Sequence, residues 1–345
     1  MGCCGKGLPM ALTIEQKKQM AKMHQQSQGQ RDKLSAEQET QIALIRKQRA
    51  LRREGKETMA DLVFTLNANG IGDTLTALIA LTGLQAKYPE KPITLYLRSD
   101  NHKWINLFQH RLNLLPQGQQ GQARARDINA GYDMECRTKA MIPRWARYCI
   151  NCDNATPTLP VLREKEQWQA AQAQYKDAVA LCPFSVYNNR NYSLEGWLTI
   201  ERKLLDKGHK VVILHDHEEP LKRFQGIHIL RQTPEVVAGV LLNAGVVIGV
   251  DSGLCHLSSI IQETKTIVLT GPSDTRKVFF APVVEAKSSM HCHGCFWQAP
   301  YRADCDKACA ALWAIDPEAV LGQIEALITG KQSTTLAGSL PVVAI

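Results

Sequence analysis

The sequence predicts an α/β protein in which helices cover both faces of parallel sheets. Three observations predict it. Short apolar segments such as Leu62-Val63-Phe64-Thr65-Leu66, Ala178-Val179-Ala180-Leu181 and Val246-Val247-Ile248-Gly249-Val250 read as strands buried on both faces. Helical patterns separate them, which makes each link a β-α-β crossover. The alternation runs twice, and 345 residues suffice for two domains with separate cores. The expected organisation is a helical arm over 1–60, a first Rossmann-like domain over 61–177, a second over 178–330 and a tail over 331–345. The two domains are expected to face one cleft.

The arm is rich in Gln, Lys and Arg, and its segments "IEQKKQMAKMHQQ" and "SAEQETQIALIRKQRALRREGKE" are good helix formers. Alanines at 36, 43 and 50 and leucines at 44 and 51 recur every seven residues, so the arm could support a homo-oligomer through a thin seam. In the first domain, strand 62–66, helix 74–87 and strand 92–98 form a β-α-β unit. "HKWINLFQH" continues as helix, and the polar stretch 116–127 is loop. "IPRWARYC" and residues 163–177 are helical. The second domain reads as strand 178–185, helix 194–208 closed by Gly208, and strand 209–216. Helix 218–226 and strand 227–231 follow. Helix "TPEVVAGVLLNAG" opens on Thr233 and Pro234, which suit the N-cap and first helical positions. "VVIGV", "LCHLSSIIQ" and "KTIVLTG" complete the series as strand, helix and strand.

The net charge of +8 invites a nucleic-acid or membrane partner, but its placement argues otherwise. Residues 1–60 hold twelve Lys or Arg against six Asp or Glu, so the body carries only two of the eight charges. No apolar run reaches the roughly 18 residues of a membrane span, and no apolar core follows "MGCCGKGLPM" to make a secretory signal. Lys6 stands where myristoylation prefers Ser or Thr. A cytoplasmic protein without a transmembrane segment is expected.

Open parallel sheets bind ligands beyond the carboxyl ends of their strands. Three segments are expected to converge there. In Gly70-Ile71-Gly72-Asp73, the glycines open like a dinucleotide fingerprint, but Leu75 replaces the third glycine and Glu90 precedes the next strand instead of ending it. A nicotinamide site is therefore not supported. What remains is a tight turn placing Asp73 at a helix start, where the dipole favours negative charge; a plain helix-terminal charge is the competing reading. In "GVDSGLCHL", Gly249 to Leu257, a strand gives way to a helix, so Ser252, Gly253 and the following N–H groups form an anion nest. His256 lies one turn in and Asp251 beside it. In "LTGPSDTRKVF", the Gly271-Pro272 turn brings Ser273, Asp274 and Arg276 towards the same cleft.

Together these stretches resemble glycosyltransferase family 9, the heptosyltransferases, whose architecture is the two-domain GT-B type. The family shows a Gly-Asp turn before an apolar helix, then G-x-D-[ST]-G-x-x-H-L, then G-P-[ST]-D. Here these are Gly72-Asp73, Gly249 to Leu257, and Gly271 to Asp274. The resemblance implies inverting transfer of a heptose-like sugar from a nucleotide-sugar donor, an ADP-sugar by likeness, to a glycan or protein acceptor, with no catalytic metal. It makes Asp73 the general base, and Gly72, Asp251, Ser252, Gly253, His256, Gly271 and Ser273 donor-binding residues. Arg190 in "NNRNYSLEGW" stands where the family has a basic residue, although the Trp-Pro pair that usually follows is missing. The first domain is also short for a familiar lipopolysaccharide-core acceptor.

Eleven cysteines without an export signal point to reduced thiols or metal ligands. Cys292-x-x-Cys295 and Cys305-x-x-x-Cys309 are two close pairs with the spacing of a structural zinc or iron site; four packed thiols are the alternative. The resemblance extends to a related branch, the autotransporter heptosyltransferases, in which cysteines hold a structural iron, and this implies iron as one candidate for the metal here. Cys149 and Cys152 end a helical stretch and read as packing thiols. Two other functions stay open: a non-catalytic nucleotide- or glycan-binding component of a larger assembly, and a nucleotide-sugar epimerase of the same architecture.

Overall fold

The computed structural model describes residues 62–68, 70–119, 125–130, 143–215, 222–261, 265–290, 292–295 and 308–330. The arm, the tail, Cys305 and residues 218–221 of the expected helix 218–226 lie outside these residues. At its end, residues 222–225 form turn and coil.

Among the described residues the first sheet has four strands: β1 (Leu62–Thr65), β2 (Ile93–Leu97), β3 (Leu112–Pro116) and β4 (Arg126–Asp127). All pair in parallel in the order β3-β2-β1-β4. Helix α1 (Ile71–Lys87) begins three residues ahead of the expected start, so Gly72 and Asp73 lie in its first turn. Helix α2 (Ser99–Ile105) also begins early, and β3 occupies a stretch the sequence left unassigned. Helices α3 (Arg144–Asn151) and α4 (Lys165–Ala171) follow.

Among the described residues the second sheet has six parallel strands in the order β10-β9-β8-β5-β6-β7. These are β5 (Val179–Cys182), β6 (Val211–His215), β7 (Ile227–Leu230), β8 (Val246–Val250), β9 (Thr266–Leu269) and β10 (Val284–Ala286). Between them run α5 (Leu194–Asp206), α6 (Pro234–Asn243), α7 (Gly253–Ile261) and the short α8 (Thr275–Val278); α9 (Ala310–Trp313) and α10 (Pro317–Ile328) are the last described helices. Pro234 takes the first turn of α6, and Gly208 has φ +81 after α5. None of the described helices is long and apolar enough to cross a membrane.

The strands are buried on both faces, and alternation assigns each face to a different core. Val179, Leu181, Val246, Ile248 and Val250 pack with Trp197, Ile200, Leu312 and Ile324. Ala180, Cys182 and Val247 face the other way, into a cluster that continues through Cys255, Leu257 and Val240 to Leu75, Leu78, Phe64 and Leu95. One apolar cluster thus joins the inner face of the second sheet to the first. The joint holds the start of α1 against the start of α7.

Candidate functional site

In an open parallel sheet, a crevice forms where the strand order reverses. In the second sheet this point lies between β5 and β8, because the chain proceeds outward from β5 on one side and from β8 on the other. The segment leaving β5 carries Arg190, and the segment leaving β8 carries Asp251. Their side chains meet across the crevice, Nη1 to Oδ2, at 3.3 Å.

Asp251 is buried. Ser273 Oγ donates to its Oδ2 at 2.5 Å, and His256 Nε2 lies 3.5 Å from Oδ1. Burial alone would raise the carboxyl's pKa. The charges of Arg190, His256 and Arg144 outweigh it and hold the group well below the usual carboxylate range. Arg190 is presented by a closed loop: Asn191 Oδ1 accepts from Ser185 N at 2.6 Å, while its Nδ2 donates to Ser185 O at 3.1 Å. Below that loop, Trp197 Nε1 donates to Pro183 O, and Ser193 caps α5 by accepting from Gly196 N. The guanidinium of Arg190 also lies 4.9 Å from the Tyr187 ring centroid, and that ring is exposed.

His256 is buried between the two sheets' helices. It stacks on Phe279 with centroids 4.0 Å apart and planes 9° from parallel. A Cβ on Gly72 would lie 2.7 Å from its Cδ2, and a Cβ on Gly253 would lie 2.5 Å from Ile71 Cβ. The two helix starts touch here because both positions lack side chains. Burial lowers the pKa of His256 against the opposing pull of Asp251. Ser252 Oγ is buried, and Ser252 O accepts from His256 N as α7 begins.

Asp73 stands across from this group. Its Oδ1 accepts from Arg144 Nη1 at 2.9 Å and from Tyr148 OH at 3.2 Å. Its Oδ2 lies on the side of Gly70, about where a side chain there would crowd it. The carboxylate is 27% exposed while Arg144 is 6% exposed, so the cation is sunk and the base-like oxygen stays reachable. Arg144 also acts electrostatically on Asp251 and His256, which puts one buried cation between the carboxylates of the two sheets.

Gly271 packs against Leu312 and Cys309 Sγ. Asp274 caps α8 and holds Arg276, whose side chain is otherwise exposed. Of the four clustered cysteines, Cys292 and Cys295 flank one turn, and Cys309 lies near Gly271; Cys305 is outside the described residues. No group of three or more metal-binding side chains occurs among the described residues. Cys149 and Cys152 are buried in the core, and burial pushes the Cys149 thiol up to about 12, as suits a packing residue.

Sequence reasoning missed Arg144, Tyr148, Asn191 and Phe279. Arg144 and Tyr148 are four residues apart, which sets them on one helix face. That signal was present, but nothing local tied the face to an aspartate 71 residues earlier in the chain.

The two buried groups fix the direction of a pH response. His256 has a folded pKa below its unfolded value near ~6.5, so the unfolded chain takes up the proton first as pH falls. Its contribution is complete above that value and declines below it. Asp251, also depressed, contributes fully above about pH 4 and loses ground only in stronger acid. Unfolding free energy from urea titration should fall between pH 7 and 5. His256→Gln should flatten that fall by up to about 1.4 kcal/mol per pH unit, one proton's worth, with His110 and His293 supplying a remainder. An unchanged slope in the variant would contradict the assignment.

A family model described as glycosyltransferase family 9 (heptosyltransferase) matches residues 146–302, a little under half of the chain. No curated protein matches the sequence. Among solved structures, E. coli ADP-heptose LPS heptosyltransferase II is similar with a TM-score of 0.59 at 14% identity, covering 78% of this chain and 99% of that one. E. coli heptosyltransferase WaaC with ADP gives 0.53 at 14% identity, over 77% and 99% of the two chains. TibC of enterotoxigenic E. coli, described as an iron-containing dodecameric glycosyltransferase, gives 0.59 at 13% identity, over 79% and 77%. At such identities the likeness is one of fold. The second-sheet motifs that resemble the family lie inside the span that its model matches, and the fold of the chain is similar to that of solved heptosyltransferases.

Proposed function

We propose that this chain is a glycosyltransferase that moves a sugar from a nucleoside-diphosphate donor to an acceptor hydroxyl with inversion, the first sheet serving the acceptor and the second the donor. The observation that carries this reading is the approach of Asp73 to the Arg190–Asp251 crevice through the contact of α1 with α7. An ADP-sugar is the proposed donor, since WaaC was solved with ADP.

In the proposed reaction, the acceptor oxygen attacks the anomeric carbon as the bond from that carbon to the diphosphate breaks. Asp73 Oδ2 takes the hydroxyl proton, a role for which a positioned carboxylate is suited. Arg144 and Tyr148 keep Oδ1 occupied and so orient the other oxygen. Negative charge grows on the leaving diphosphate, where the N–H groups opening α7 and the Arg190 guanidinium stabilise it. Arg190 is already paired with Asp251, so its charge is held in place before the donor arrives.

A structural zinc or iron is proposed at Cys292, Cys295, Cys305 and Cys309. The donor set fits, since four thiolates are a tetrahedral site for either metal. The approach of Cys309 Sγ and of the Cys292 turn to the one residue Gly271 supports it. A bound metal there would brace the fold behind the donor turn. Assembly through the N-terminal arm is proposed too, TibC being described as dodecameric.

Asp73→Ala should lower transfer by about 10²–10⁴-fold, the usual contribution of a general base, while ADP affinity by calorimetry stays as in the wild type. Wild-type turnover in the variant would remove Asp73 from the chemistry. Hydrolysis or epimerisation of the donor without any acceptor would favour the epimerase alternative, and no turnover with any nucleotide sugar the binding component. Elemental analysis of untagged protein should find about one zinc or iron per chain, and Cys292→Ser should lose it together with thermal stability. Metal-free protein with the same melting temperature would reduce the cluster to ordinary thiols.

A further inference from the structure

The turn from Thr270 to Asp274 has two working faces. On one, Ser273 reaches Asp251 in the crevice. On the other, the turn Cys292 to Cys295 is docked. Gly294 N donates to Gly271 O at 2.8 Å, and His293 Nε2 lies 2.8 Å from Thr270 Oγ1.

The direction of that second bond follows from counting hydrogens. Thr270 Oγ1 lies 3.0 Å from Glu285 Oε1, and a carboxylate oxygen only accepts, so the hydroxyl spends its single hydrogen there. Thr270 must then accept from His293, which requires the proton on Nε2. Thr275 N, at 3.3 Å, adds a second donor to the same Glu285 oxygen. Rotation of the imidazole would leave Thr270 short of a donor and release one side of the turn.

We propose that His293 is a positioning residue for the donor site: through Thr270 it fixes the Thr270–Asp274 turn in the register that brings Ser273 to Asp251, and so couples the cysteine segment to nucleotide-diphosphate affinity. This rests on the donor reading given above. A residue with a packing role alone would change stability and leave the affinity of the folded protein unaltered.

The test is calorimetry with ADP on the full-length protein, comparing the wild type with His293→Ala, His293→Gln, Thr270→Val and the His293→Ala/Thr270→Val double variant, with metal content measured on each. Removal of the bond should weaken ADP about tenfold. Gln, which can donate to Thr270 from its amide, should recover most of that loss. The double variant should bind no more weakly than Thr270→Val, because both changes break one interaction. Wild-type affinity in His293→Ala, additive losses in the double variant, or a loss that follows metal content while Thr270→Val binds normally would each overturn the proposal. A wild-type protein that binds no ADP would instead sink the donor reading, and the proposal with it.

Discussion

A single carboxylate withdrawn from water organises this molecule. Asp251 sits at the reversal point of a six-stranded parallel sheet with 2% of its surface exposed. An ion so placed costs several kcal/mol unless charge and hydrogen bonds compensate it. The compensation comes from three separate stretches: Arg190 after β5, Ser273 after β9 and His256 on α7. Satisfying one group therefore pins three loops to a common point. The same arrangement places Arg190 and the start of α7 along the crevice, where the proposed diphosphate would need positive potential.

The first sheet is brought to this point by apolar packing and not by charge. Gly72 against His256, and Gly253 against Ile71, allow two helix starts to touch, and a continuous apolar cluster behind them keeps the contact. Arg144 then lies between two carboxylates that belong to different sheets. Its burial means that its charge is weakly screened, so Asp73 and Asp251 share one electrostatic environment. In the proposed reaction, proton uptake at Asp73 and charge growth beside Asp251 would be felt by the same guanidinium.

Much of this was legible in the sequence because much of it is local. The β-α alternation appears wherever strands are wholly apolar, and the glycine-rich turns lie at the ends of those strands as their chemistry requires. Strand β10, three residues at a sheet edge, was too short to carry a periodic signal, and β3, "LNLLP", ends on a proline that weakens a strand reading. Helix α10 did have a readable start, Asp316 before Pro317, and Asp316 indeed accepts from Glu318 N. At the site, Asp73, Asp251 and His256 stood out through their neighbours in the chain. Arg144 did not, because its importance depends on a partner supplied by another helix. His256 is at once a packed, buried ring and a neighbour of the crevice.

The place where a nucleoside diphosphate binds decides whether the proposed function holds. A crystal structure of the full-length protein with ADP tests this most directly. The diphosphate is predicted at the switch point between β5 and β8, within hydrogen-bonding distance of the N–H groups that open α7 and of Arg190. ADP bound elsewhere, with Arg190 and Asp251 unengaged by it, would contradict the account.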